Sequence, residues 1–211
     1  MIPLILKLKK QAHKEIAKAQ DMIVEEMYRI FDRAVLHGGT AIWRCYRGNR
    51  FSEDIDVYII KDVEKINMLF ENFEKRGFII KKKKIGENSL YSILEINRTV
   101  IRFEALFKHI RGILKEYETA DGNLLTIYAL APEELAKEKI NAYLKRTKIR
   151  DLYDVFFLLR YIPDKNKIKN QLKNLTCNFE KPADEKELKV IILEGITPAS
   201  DEMLEYIKRQ L

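Results

Sequence analysis

Residues 36–60 read LHGGTAIWRCYRGNRFSEDIDVYII, and two features of that stretch set the fold. Ala34, Val35 and Leu36 form a short apolar run that stops at Gly38-Gly39, after which Thr40 can cap a helix starting at Ala41. The residues spell strand, tight turn, helix. Further on, Ile55, Val57 and Ile59 alternate with Asp54, Asp56 and Tyr58, the period of a strand with one buried face, so the two carboxylates share the other face. Residues two apart on a strand project in parallel about 6–7 Å apart, a spacing at which both can reach cations lying between them.

Working outward, Ile16, Ala19, Ile23, Met27 and Ile30 recur at three- or four-residue steps and predict an amphipathic helix over residues 9–33. The short apolar run before it, Met1 to Leu6, is soon interrupted by lysines and reads as the start of a helix, not as a signal core or a membrane span. A helix is expected over 63–76, then strands over 78–80, 90–96 and 100–107. Gly86-Glu87-Asn88 and Asn97-Arg98 supply hairpin breaks, so antiparallel pairing is expected. A hairpin over 113–128, turning at Asp121-Gly122-Asn123, closes the sheet region. Pro132, with Glu133 and Glu134 behind it, opens a helix to about 145, and another is expected over 150–161. The expected architecture is α/β (α+β): a mixed-sheet lobe over residues 1–130 and a helical lobe over 131–211.

Apolar residues make up 46% of the 211 and charged residues 34%, enough for a core under a charged surface, which excludes wholesale disorder. Two cysteines, Cys45 and Cys177, and three scattered histidines exclude a disulfide framework and a structural zinc, and they suit a cytoplasmic protein. The net charge of +7 draws in polyanions, and residues 139–173 alone carry ten Lys or Arg against three Asp, an excess equal to that of the whole chain.

An acid pair two residues apart is by itself more often an exposed strand face than a metal site, and a Gly-Gly pair more often merely a turn. Here they stand together. Glycine lets a backbone approach phosphate closely, and a helix N-terminus offers unpaired N–H groups to its oxygens. Lys139 and Arg146 lie seven residues apart and so share one helix face. Against that, Arg150 and Asp154 stand at a spacing that a surface helix pair would also have. The lysines 81–84 fall at a strand end, where they can track acceptor phosphates or simply be solvated. Trp43, Tyr46 and Phe51 can stack on a base, though core packing is the commoner role. His37, just before the glycines, reads as structural.

The stretch 36–60 resembles the nucleotide-binding signature of DNA polymerase β-like nucleotidyltransferases of the AbiEii/AbiGii toxin type, Gly-Gly-Thr-Ala followed by Arg-x-Ser-x-Asp-x-Asp. The matching positions are Gly38, Gly39, Thr40 and Ala41, then Arg50, Ser52, Asp54 and Asp56. A second block, residues 133–159, EELAKEKINAYLKRTKIRDLYDVFFLL, is similar to that family's downstream helical signature at Lys139, Ala142, Arg146, Arg150, Asp151 and Asp154.

The resemblance implies transfer of a nucleoside monophosphate from a nucleoside triphosphate to an acceptor hydroxyl. It assigns catalysis to Asp54, Asp56, Lys139 and Asp151. Nucleotide binding falls to Gly38, Gly39, Thr40, Arg50, Ser52, Lys139 and Arg146. Mg²⁺ or Mn²⁺ would be held by Asp54, Asp56 and a third carboxylate on a later strand, for which Glu104 is the candidate and Glu95 its rival. It further implies an RNA acceptor such as a tRNA 3′ end, and a toxin role with an antitoxin protein as partner and no membrane. Rival readings are a catalytically silent nucleotide- or RNA-binding module of the same fold and a metal-dependent nuclease.

Overall fold

In the computed structural model, which describes residues 3–211, the chain begins with helix α1 (Leu4–Lys7) and the long helix α2 (Gln11–Ile30). Met1 and Ile2, part of the apolar run at the N-terminus, lie outside the described residues. The three- and four-residue spacing in α2 turns Ile23 and Met27 fully inward, together with Ala19 and Val24.

Strand β1 (Val35–His37) leads into α3 (Gly38–Cys45), β2 (Ile55–Ile59) and α4 (Val63–Lys75). Asp62 caps α4, its carboxylate accepting from the Lys65 N–H at 3.0 Å. Then follow β3 (Ile79–Ile85), β4 (Ser89–Ile96), β5 (Thr99–Phe107), β6 (Ile113–Glu118) and β7 (Leu124–Ala129). The expected short strand at 78–80 runs on to Ile85, so the four lysines lie inside a strand and not at its end. Pairing with β4 over the whole stretch overrides their poor strand propensity.

The seven strands form one mixed sheet in the order β3-β4-β5-β2-β1-β7-β6. β2 pairs parallel with β5, and β1 parallel with β7; the remaining neighbours are antiparallel. One face packs on α2 and α4 through Ile55, Val57, Leu90, Leu94, Ile101, Phe103 and Ala105, all buried. Phe73 sits at its centre, its ring 5.7–5.9 Å from those of Phe78 and Phe103. Because side chains alternate, the opposite face carries Asp54, Asp56, Arg102 and Glu104.

The chain divides into two compact units, Met1–Arg47 with Phe51–Leu130, and Gly48–Arg50 with Ala131–Leu211. In the second, α5 (Pro132–Arg146) ends at Thr147 in a left-handed conformation, φ 51°, and α6 (Ile149–Leu158) packs against it. α7 (Lys169–Cys177), α8 (Leu188–Ile191), α9 (Ser200–Lys208) and three short 3₁₀ turns complete this unit, in keeping with the helical character expected for its tail. Gly48–Arg50 joins it through a bridge between Arg50 and Ile192 and a 2.8 Å bond from the Leu193 N–H to Asn49 O. Among the described residues no helix is long and apolar enough to cross a membrane.

Candidate active site

The turn between β1 and α3 is tighter than the sequence suggests. α3 starts at Gly38, with His37 as its N-cap residue, so the glycines form its first turn and Thr40 is inside the helix, not its cap. Gly38 has φ +69°, and a Cβ there would overlap the Asp56 carboxylate. Both facts require glycine at this position. Relieved of capping, Thr40 donates its hydroxyl to Asp54 O. Gln20 Nε2 reaches Ser52 O at 2.9 Å and Thr40 Oγ1 at 3.5 Å. Two polar side chains thus pin the segment entering β2. Gln20 went unnoticed in the sequence, although a fully buried polar residue at a core position of the α2 stripe is the signal that would have found it.

Register brings the acidic residues together. Asp56 stands opposite Glu104 in the parallel β2–β5 ladder and opposite His37 in the antiparallel β1–β2 ladder. Arg102, two residues before Glu104 on the same face, donates to Asp54 and reaches Glu104 at 3.0 Å. Partial burial raises the Glu104 carboxyl above its ordinary range; Arg102 pulls it back, and Asp56 and Asp54 push it further up. Glu95 is on the same face but at the other end of β4, where it pairs with Lys81 at 3.2 Å. Glu104 is therefore the carboxylate that accompanies the aspartates.

Among the described residues no group of three or more Asp, Glu, His or Cys side chains stands ready to hold a metal ion. The Arg102 guanidinium takes up Asp54 and Glu104. Asp54, Asp56 and Glu104 carry hard oxygen donors of the kind Mg²⁺ and Mn²⁺ prefer, with the Arg102 cation beside two of them. Alternation along β5 places Arg102 on the same face as Glu104.

The aromatic residues near the turn are core. Trp43, Tyr46 and Phe51 are buried; Phe51 stacks on His13 at 3.8 Å, and the Tyr46 hydroxyl donates to Leu130 O at 2.7 Å. His37 stacks on Tyr58 at 4.0 Å. Arg44, fully buried, pairs with Asp21, which also accepts from the Tyr117 hydroxyl and the Ala120 N–H and so ties α3 to α2.

In the second unit Lys139, Asp151 and Asp154 of the downstream block form a buried network, which the exposed Arg146 joins at its edge. Asp151 accepts two bonds from Arg146, at 2.7 and 2.8 Å, and lies 3.5 Å from Lys139 Nζ. Lys139 Nζ is 2.8 Å from Asp154, which also accepts two bonds from Arg50 at 2.5 Å. Both aspartates are completely buried, so Asp154 is not the surface partner of Arg150 that its spacing allowed. Arg50, Lys139 and Arg146 thus face Asp151 and Asp154. Burial by itself would push the Asp154 carboxyl up, but Arg50 and Lys139 hold it below the usual range. Arg50, read from the sequence as a nucleotide contact, has its guanidinium engaged by Asp154.

A mixed sheet with paired carboxylates beside a glycine turn defines a nucleotidyltransferase-fold protein. The profile of the family described as nucleotidyl transferase AbiEii toxin, type IV toxin–antitoxin system, matches residues 27–207, and the chain belongs to that family. Among solved structures it is similar in fold to MenT4, a nucleotidyltransferase toxin from Mycobacterium tuberculosis, with 17% identity, TM-score 0.68, and 98% of this chain and 85% of that one covered. JHP933 from Helicobacter pylori is similar at 19% identity, TM-score 0.66, and 96% and 91% coverage. No curated protein matches the chain in sequence.

Proposed function

We propose that the chain transfers a nucleoside monophosphate from a nucleoside triphosphate to an acceptor hydroxyl of RNA, such as a tRNA 3′ end, as the toxin of a toxin–antitoxin pair. The observation that carries this reading is the β2–β5 register, which sets Asp56 opposite Glu104 on the open sheet face, with Gly38 against Asp56. Asp54, Asp56 and Glu104 would hold Mg²⁺ or Mn²⁺, which neutralises triphosphate charge and lowers the pKa of the acceptor hydroxyl.

The chain's own groups do the rest. Backbone N–H groups in the first turn of α3 orient phosphate oxygens. Arg102, which holds Asp54 and Glu104, would give up these contacts to a bound cation. Lys139 and Arg146 contact phosphate, with Asp151 holding both in place, and Arg50 acts through Asp154 on the orientation of Lys139. The acceptor oxygen attacks the α-phosphorus, the bond to the bridging oxygen breaks, and pyrophosphate leaves. Lys82 and Lys84 support a long anionic acceptor. Lys84 pairs with Tyr91, and Tyr91 with Glu104, so the lysines lie on the same face as the carboxylates.

Incubation of total RNA with each of the four nucleoside triphosphates and Mg²⁺, resolved on a sequencing gel, tests this reading. It predicts discrete RNAs lengthened by one or a few nucleotides. Shortened RNA would establish a nuclease, and triphosphate binding with no change in RNA length a silent binding module.

A further inference from the structure

A second concave site lies at the other end of the same strands, and the proposed reaction does not use it. The carboxylates sit where β2 begins; this cavity, of about 860 Å³, opens where β2 ends and β1 begins, walled by the loop from β5 to β6. Its volume is within the roughly 300–1,000 Å³ of small-ligand sites. Gly112 lets that loop close on the sheet, since a Cβ there would come within 2.9 Å of Val35 and 3.0 Å of Tyr128.

Two observations about the lining point to one kind of occupant. The apolar part is left open to solvent: Leu114 is 61% exposed, Ile60 59% and Ile113 40%. Exposed aliphatic residues in the lining of a concavity mark a binding site more than a folding requirement. The rim is cationic. Arg33, Lys61, Lys65, Lys108 and Arg111 line the cavity against Asp32 and Asp62, and the Asp62 carboxylate caps α4. Lys61 donates to Gly86 O and Glu87 O, and Arg33 lies 5.7 Å over the Tyr128 ring. Among the described residues Lys108 and Arg111 have no carboxylate partner. Cations left uncompensated beside an exposed apolar floor complement a ligand that is anionic at one end and apolar at the other.

We propose that this cavity binds one small anionic amphiphile, a carboxylate, sulfonate or phosphate ester on an apolar or planar body, with Lys108 and Arg111 on the anion and Leu114 and Ile60 on the body. Fluorescence titration with anilinonaphthalene sulfonate tests it. The expected result is a single saturable site, displaced by decanoate and not by sulfate at equal ionic strength. The double variant Lys108→Glu, Arg111→Glu and the separate variant Leu114→Asp should each bind the probe at least about tenfold more weakly. Asp56→Ala should bind it as wild type does. All three altered residues are exposed, and near-UV circular dichroism checks that each variant keeps its fold. Unchanged affinity in both variants, or displacement by sulfate alone, would overturn the proposal. So would a wild-type dimer in sedimentation that Leu114→Asp turns into monomer, since a second copy would then be the occupant.

Discussion

Asp154 joins two cations inside the second unit, and its chemistry can be checked by titration. Its carboxyl is held below the usual range by Arg50 and Lys139 against the upward push of burial. A depressed folded pKa contributes stability that is present above the unfolded value and lost as pH falls through the folded one. Acid unfolding followed by circular dichroism should therefore be less steeply pH-dependent in Asp154→Asn than in wild type below the ordinary carboxylate range. At neutral pH the same substitution removes the carboxylate that two buried cations, Arg50 and Lys139, share and should cost about 3–5 kcal/mol in urea unfolding. The cysteines give a contrast. Burial pushes the Cys45 thiol up to about 12, with Arg44 and Lys115 opposing, while Cys177 is exposed. Iodoacetamide under native conditions should alkylate Cys177 and spare Cys45, as read by peptide mass spectrometry.

At the scale of elements, the turn into α3 and the strand β3 carry the predictions. Gly38→Ala puts a Cβ into a left-handed backbone, at about 1–2 kcal/mol, and against Asp56. Its turnover should fall at least about tenfold while the melting temperature drops only a few degrees. Replacing Lys82 and Lys84 together by alanine removes two phosphate contacts in the proposed acceptor path. The slope of log affinity for single-stranded RNA against log salt should become shallower by about 1.4. Much of this was legible in the sequence, because alternation at 54–60 and the glycine pair report on the local backbone. What escaped was set by pairing across the sheet. That Glu104 and not Glu95 joins the aspartates follows from a parallel register between strands about fifty residues apart, which neither strand's own pattern contains. The grouping of Gly48–Arg50 with the second unit was hidden for the same reason, since the Arg50–Asp154 contact spans 104 positions.

For the molecule as a whole, the net charge of +7 and the AbiEii family membership are in keeping with a nucleotide as ligand, and the open sheet face carries Asp54, Asp56 and Glu104, to which the proposed transfer assigns the metal. The central claim is that the α-phosphate, with its nucleoside, passes to an acceptor. The most direct measurement supplies one nucleoside triphosphate in two forms, labelled at the α- or the γ-phosphate, to wild type and Asp56→Ala with Mg²⁺ and RNA. The account predicts α-label on the RNA and γ-label in pyrophosphate, both abolished by Asp56→Ala. Label from the γ-position on the acceptor, or equal incorporation by both proteins, would contradict it.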